Sequence, residues 1–487
     1  MLRRKWNWLV CASCLVGVVV VGGPISVAAD RPNVVLVMAD DLGWGETGYH
    51  GHPHVRTPVL DQMAQSALRL ERFYAASPVC SPTRASVMTG RHANRSGAFA
   101  PNWSTRPEEI TIAHVLQQAG YRTGHFGKWH LGAVKEASPV NPRRMGFDEY
   151  LSHDNFFEMN PLLSRNGQPP TVIQGEGSAV VAAEAIRFVR GACAAQQPFF
   201  VVLWFGSPHG PYSGLAEDIA LYAQVPKTEM QLRFAEITAM DRALGDFRGA
   251  LKELGVSDNT LLWFNSDNGI PVADEKDSFN GGWRGRKGDV HEGGLRVPGI
   301  VEWPKVIQTS RVSEMPCVTS DIMPTILELL HLQHPQPQRP MDGVSLKELI
   351  VGGDMQVRPK PIGFWRYDAA GEKKNEPWIS PELSLGTTPT TKNPAIQFTN
   401  YRHPVAKTEA FGGAAAWTDN RYKLVVTRAQ RGSQIELFDL LNDPYEKKNL
   451  AADMPDQVEV MQRQLHDWQR SVERSLSGAD YQKSEQR

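Results

Sequence analysis

Cys80 opens the run Cys80-Ser81-Pro82-Thr83-Arg84-Ala85-Ser86-Val87-Met88-Thr89-Gly90-Arg91, in which a thiol is followed at fixed spacing by a proline and a guanidinium. A lone cysteine is commonly a small buried hydrophobe or half of a disulfide. Here no apolar periodicity surrounds it, and Arg84 stands one helical turn downstream. The position therefore reads as electropositive, the setting in which thiols react. Proline and small residues after the thiol predict a helix beginning just after Pro82, with its free N–H groups turned toward an anion.

Three short apolar runs, at 34–38, 199–205 and 260–264, are followed by unusual polar residues: Asp40-Asp41, His209-Gly210-Pro211 and Asp267-Asn268-Gly269. Each group alone reads equally as a turn. Ligands of parallel α/β sheets bind at the carboxyl ends of the strands, so three such endings predict one shared site. Asp40, Asp41, Asp267 and Asn268 together supply the hard oxygens that Ca²⁺ or Mg²⁺ prefers. In Gly127-Lys128-Trp129-His130-Leu131-Gly132 a cation and an imidazole stand two apart, and extended backbone puts both on one face. Singly, such a Lys is usually solvated and such a His incidental. Gly285-Arg286-Lys287-Gly288, then Glu292-Gly293-Gly294-Leu295-Arg296-Val297-Pro298, adds a further cation pair.

The elements that must position these groups follow from hydrophobic patterning. The near-continuous apolar runs fit strands buried on both faces. Ile237, Met240, Leu244, Phe247, Leu251 and Leu254 recur at helical spacing between the last two runs, and helices are also predicted at 112–119, 179–194 and 321–330. Strand and helix patterns in alternation predict an α/β fold with a large, mostly parallel sheet sandwiched by helices. Beyond a boundary near residue 357 and a poorly patterned stretch to 411, strands at 414–417, 423–427 and 434–439 and a charged helix at 456–476 predict a smaller α+β domain with an antiparallel sheet. The expected organisation is a leader at 1–29, a catalytic domain at 30–356, a C-terminal domain at 357–476 and a disordered tail at 477–487.

The 487-residue chain, 41% hydrophobic with a formal net charge of -1, can bury a large core. It lacks the charge of a polyelectrolyte binder, which excludes nucleic acid as the expected partner. Met1-Leu2-Arg3-Arg4-Lys5, an apolar stretch at 6–23, Pro24 and Val27-Ala28-Ala29 read as a secretory leader cleaved after Ala29, with an uncleaved anchor as the alternative. The protein is thus expected in the periplasm or outside the cell, without stable membrane insertion. Cys11 and Cys14 leave with the leader. Cys80, Cys193 and Cys317 remain and form no disulfide framework, although Cys193 and Cys317 could pair. Asn94-Arg95-Ser96 and Asn102-Trp103-Ser104 have the form of glycosylation sequons.

The Cys80 run resembles the sulfatase signature C-x-P-x-R followed by A-S-x-x-T-G-R. The Lys128/His130 segment reads like that family's second signature and 285–298 like a third, while Glu436-Leu437-Phe438-Asp439-Leu440 with Asn442-Asp443-Pro444 and Glu446 resembles its terminal-domain signature. The resemblance spans about residues 31–450 and implies an alkaline-phosphatase-like fold and a sulfuric ester hydrolase. It further implies that a formylglycine-generating enzyme or maturase oxidises Cys80 to formylglycine, whose hydrate attacks sulfur in line and forms a covalent sulfate intermediate. One Ca²⁺ would be held by Asp40, Asp41, Asp267, Asn268 and an oxygen of the modified Cys80. Arg84 would hold the hydrate, and Lys128 and Lys287, the latter at the sulfate-binding position, would neutralise the sulfuryl oxygens. His209 would protonate the leaving oxygen. His130 would take the proton whose loss expels sulfate and restores the aldehyde. His125, His153 and His291 would be supporting or substrate-facing, and Glu292 and Arg296 structural.

The expected substrate is a sulfated carbohydrate. Loops at 153–165, 212–227 and 372–403, with Phe156, Phe157, Trp378, Tyr401 and Arg402, either face the sugar or pack a domain interface. Two rivals remain open at this point: a phosphate or phosphonate ester hydrolase on the same fold, and a non-catalytic binder of sulfated glycans.

Overall fold

The structure is a computed structural model that describes residues 31–271, 279–367, 411–429 and 432–481. The predicted leader and the 372–403 loop, with Trp378, Tyr401 and Arg402, lie outside the described residues.

Asn33–Ala39 forms the central strand of a ten-stranded sheet because its side chains find apolar partners on both faces. Val35, Val37 and Ala39 enter one core, while Val34, Leu36 and Met38 enter the other. Phe199–Trp204 and Thr260–Ser266 pair with it in parallel on either side. Arg122–Lys128 pairs in parallel with Phe199–Trp204, and Glu149–His153 continues the parallel run. The flanks turn antiparallel, through Gly299–Glu302 on one side and Leu162–Arg165 on the other. The sheet is therefore mixed and mostly parallel, and the polar residues after its central strands meet along one edge.

Helices cover both faces. Gly177–Ala194 and Thr228–Glu253 pack on one, the latter burying Ile237, Met240, Leu244, Phe247 and Leu251 as their spacing predicts. Cys80–Thr89 and Ile322–Leu329 lie on the other. The helix after the thiol differs from expectation in its start: it begins at Cys80 itself, with Pro82 inside the first turn. Proline is accommodated there because the first N–H groups of a helix have no intrahelical partner to lose.

A second sheet joins Ile362–Tyr367, Gly413–Thr418, Tyr422–Ala429 and Gly432–Asp439, all antiparallel. Ile362–Tyr367 falls in the stretch whose sequence shows no pattern. One face of this sheet, through Phe364, Ala416, Val425 and Phe438, packs on Tyr74, Val290 and Leu295 of the larger unit. The other is covered by Pro455–Leu476 through Met461, Leu465, Trp468 and Val472. Lys423 is buried between Glu292 and Glu446, at 2.9 and 3.0 Å, so the terminal segment 436–446 is tied to the loop that follows Lys287. Arg296 likewise donates from Nε to the Glu71 carbonyl at 2.8 Å, away from the thiol.

The chain packs past Ser477, where disorder is expected. Asp480 pairs with Arg91 at 2.8 Å, and the Tyr481 ring lies under the guanidinium groups of Arg106 and Arg339. These charge and ring contacts hold a segment whose composition alone reads as unstructured. Cys80, Cys193 and Cys317 are all free, so the Cys193–Cys317 pairing does not form.

Candidate active site

The carboxyl ends of the central strands bring together residues far apart in sequence. Arg84, four residues into the helix that Cys80 begins, is fully buried. Its Nη2 and Nε donate to Asp267 Oδ2 at 2.7 and 3.2 Å, and Nη1 donates to the Lys128 carbonyl at 3.0 Å. Lys128 Nζ lies 2.5 Å from Asp40 Oδ2. Lys287 Nζ reaches both oxygens of Asp41 at 2.7 Å. The residue before Lys128 must be glycine, since at φ 112° a Cβ on Gly127 would stand 1.8 Å from the Trp204 carbonyl oxygen. Of the pair Arg286 and Lys287, it is Lys287 that enters the site, while Arg286 is exposed.

Three carboxylates thus face three cations in a buried space, and the charges balance. Burial alone would push the Asp41 carboxyl up. The ammonium of Lys287, with His209 and Lys128, more than offsets this and holds it well below the usual carboxylate range. The Cys80 thiol behaves oppositely. Desolvation outweighs Lys128 and Lys287, so it is pushed far above its ordinary value. The cations expected from the sequence are present, but Asp267 and Asp40 offset them at the thiol, and no thiolate forms. As an unmodified residue Cys80 is a poor nucleophile.

Ligand atoms of Asp40, Asp41, Cys80 and His209 all lie within 4.8 Å of one another, which suits a single cation. This grouping differs from the expected one in two places. His209 joins it, with Nε2 at 3.7 Å from Asp41 Oδ2, and Asp267 is engaged by Arg84. Asn268 remains beside the cluster, donating from Nδ2 to Asp41 Oδ1 at 2.7 Å. Asp40 Oδ1 and Asn268 Oδ1 are buried oxygens that accept no hydrogen bond. Two such acceptors beside a carboxylate cluster fit a hard divalent cation of the Ca²⁺ or Mg²⁺ type.

The family model that matches this chain is that of the sulfatases, over residues 32–332. The chain belongs to the sulfatase family. This sulfatase is 32% identical over 378 residues to N-acetylgalactosamine-6-sulfatase of Canis lupus familiaris, covering 70% of each chain. It is 28% identical over 404 residues to the ulvan-active sulfatase of Formosa agariphila, covering 78% of this chain and 77% of that one. The crystal structure of Ps i-CgsB in complex with k-i-k-neocarrahexaose superposes with a TM-score of 0.75 at 24% identity, over 93% of this chain and 97% of that chain. The phosphonate monoester hydrolase of Agrobacterium radiobacter shares the fold with a TM-score of 0.60 at 20% identity. By family the enzyme is a sulfuric ester hydrolase. No helix among the described residues is long and apolar enough to cross a membrane.

The histidines of the sulfatase separate by surroundings. His209 Nδ1 donates to the Gly210 carbonyl at 2.6 Å, which leaves Nε2 as the working nitrogen. Burial, together with Lys128 and Lys287 and against Asp41, lowers its value to about 3. Burial, then Lys128 and Arg84, also lowers that of His130 well below the ordinary range, so both rings are neutral near pH 7. His125 is buried against Ser152 Oγ at 2.7 Å, His153 accepts from the Asn155 N–H at 2.9 Å, and His291 lies 3.4 Å from Glu436. None of these three enters the cluster.

Several participants carry no motif signal. Asn102 meets His130 Nε2 through Oδ1 at 2.9 Å and its backbone N at 3.2 Å, and its N–H also reaches Ser81 Oγ at 3.1 Å. Asn94 is buried and donates to the Trp365 carbonyl at 3.0 Å. Of the two sequon asparagines, Asn94 is thus internal and Asn102 is half-buried against His130. Arg233 is buried from the helix below, where it pairs with Glu46 and donates to the carbonyls of Asp41 and Pro208, each at 2.7 Å. It thereby fixes the backbone on both sides of the cluster, and a lone arginine on an apolar helix face was the available sign of it.

Proposed function

We propose that this sulfatase removes sulfate from sulfated carbohydrates after export, with Cys80 converted to formylglycine and one Ca²⁺ at the site. The observation that carries the reading is the gathering of Asp40, Asp41 and Asp267 with Arg84, Lys128 and Lys287 around the first residue of a buried helix. A thiol held so far from ionisation is suited to be a precursor rather than the attacking group. Its aldehyde hydrate supplies the hydroxyl that attacks sulfur.

Asp40, Asp41, Asn268 and the modified residue 80 would hold the cation, with Asp267 at their edge. The cation supplies Lewis-acid stabilisation of charge on the ester oxygens. Once these carboxylates have that partner, Lys128 and Lys287 are left to neutralise the sulfuryl group, and the first N–H groups of the helix add to the anion's binding. Arg84, locked on Asp267, orients residue 80. His209, although beside the cluster, would stay off the cation and present Nε2 for the leaving oxygen. A bound sulfate anion offsets Lys128 and Lys287, the cations that depress this imidazole, and so favours its protonated form. His130, already neutral, accepts the proton from the second hydroxyl.

The saccharide assignment is supported by the relatives' names, which include an N-acetylgalactosamine-6-sulfatase and an ulvan-active sulfatase. A panel of defined sulfated saccharides, tested beside matched phosphate and phosphonate esters, checks it. Sulfate release from saccharides is expected. Faster turnover of the phosphorus esters would overturn it.

A further inference from the structure

One short loop reaches both His130 and His209. It follows the strand Glu149–His153 at the edge of the parallel run. The Asp154 carbonyl accepts from the His130 N–H at 3.1 Å, and Asp154 Oδ1 accepts from the Val134 N–H at 2.7 Å. Asn155 Nδ2 donates to Asn102 Oδ1 at 3.1 Å, the same oxygen that meets His130 Nε2. The next residue, Phe156, lays its ring on the His209 imidazole, with centroids 4.7 Å apart and planes 14° from parallel. Phe157 then anchors the loop in the core. The approach is close, since a Cβ on Gly206 would stand 2.7 Å from the Phe157 carbonyl oxygen, and only glycine at the strand exit permits it.

We propose that Phe156 is a positioning residue for His209. The inference rests on the proton-donor role given to His209 above. The imidazole is held at Nδ1 by the Gly210 carbonyl, while Nε2 lies 3.7 Å from Asp41 Oδ2, beyond hydrogen-bond distance, and so keeps freedom to swing. A flat aromatic face against the ring removes that freedom and directs Nε2 to one place. Phe156 is 7% exposed, so it offers little surface to a sugar, and its contact with His209 is the use the structure makes of it. Protonation of the leaving oxygen matters most when the leaving alcohol is weakly acidic. Misplacement of the donor therefore shows as a change in sensitivity to the leaving group, whereas general disorder slows all substrates alike.

The test uses substituted phenyl sulfates graded by the acidity of the phenol, with wild type, Phe156→Leu and Phe156→Tyr. Cys80 conversion is measured by mass in each preparation and rates are scaled to the converted fraction. Phe156→Leu fills the space without a planar face. It is expected to lose about twofold in kcat/KM with the most acidic phenol and about tenfold with the least acidic. Phe156→Tyr keeps the ring and should follow wild type. Parallel lines for Phe156→Leu and wild type, or a tyrosine variant that steepens as leucine does, would overturn the positioning role alone. A converted wild-type protein that releases no sulfate from any member of the series would overturn the proposed function, and this role with it.

Discussion

Replacing Lys287 by alanine separates the two jobs assigned to that ammonium group. In the structure it neutralises Asp41 through two 2.7 Å contacts from a side chain that is 20% exposed. A unit charge about 4 Å from a sulfuryl oxygen, at an effective dielectric near 20, is worth about 4 kcal/mol. Loss of one preorganised donor in comparable sites costs about 3 kcal/mol. Both point to a fall in kcat of about 10²- to 10³-fold for Lys287→Ala. Without a cation, the same substitution leaves Asp41 buried with Asn268 as its near partner and costs about 3 kcal/mol of stability. With Ca²⁺ on the carboxylates that second cost should largely vanish. The assay is sulfate release at saturating calcium, together with denaturation in chelator and in calcium. Turnover within about threefold of wild type would refute the role in charge stabilisation. Equal destabilisation with and without calcium would refute the shared use of Asp41.

Cys80→Ala should abolish sulfate release from an aryl sulfate while the protein melts as wild type, and Lys128→Ala should abolish it too; near-native turnover in either sinks the chemistry assigned to them. Removal of divalent ions by a chelator should abolish turnover and restoring Ca²⁺ should recover it, measured as initial rates; full activity after exhaustive chelation contradicts the metal assignment. Asp342 joins the two sheets' units by accepting from Arg95, His92 N–H and Trp468 Nε1. Burial opposes its ionisation, but Arg95 and Lys360 with these donors hold its carboxyl well below the ordinary range. Its stabilisation is therefore present above the unfolded value of about 4 and is lost as pH falls toward the depressed folded value. Asp342→Asn should lower stability at neutral pH by about 3 kcal/mol and flatten its dependence on pH below about 4, read by denaturant titration; an unchanged slope would count against the clamp.

The site was legible in the sequence as fragments. Asp40-Asp41, His209 and Asp267-Asn268 stand out because buried apolar strands end abruptly in residues that bind or transfer charge, Cys80 because a proline and an arginine follow it at fixed spacing, and Lys128 because it stands two residues from His130 between glycines. Their pairing was not legible. Arg84 meets Asp267 across 183 positions and Lys287 meets Asp41 across 246, and only the tertiary fold fixes such contacts. Ile362–Tyr367 carries no strand signal in the sequence because a short segment with Gly363, Arg366 and Tyr367 has little alternation, and its pairing with Gly413–Thr418 decides it. From sequence Phe156 either faces a sugar or packs a domain interface, whereas in the fold it covers a histidine. Tyr481 reads as tail, yet ring and charge contacts hold it. In each case a long-range partner outweighs local composition.

Mass analysis of the peptide around Cys80, from protein matured beside a converting enzyme and shown to release sulfate, tests the account most directly. It should reveal an aldehyde in place of the thiol, in a fraction that tracks specific activity across preparations and falls to zero in inactive ones. Full sulfate release from protein whose Cys80 remains a thiol would contradict it.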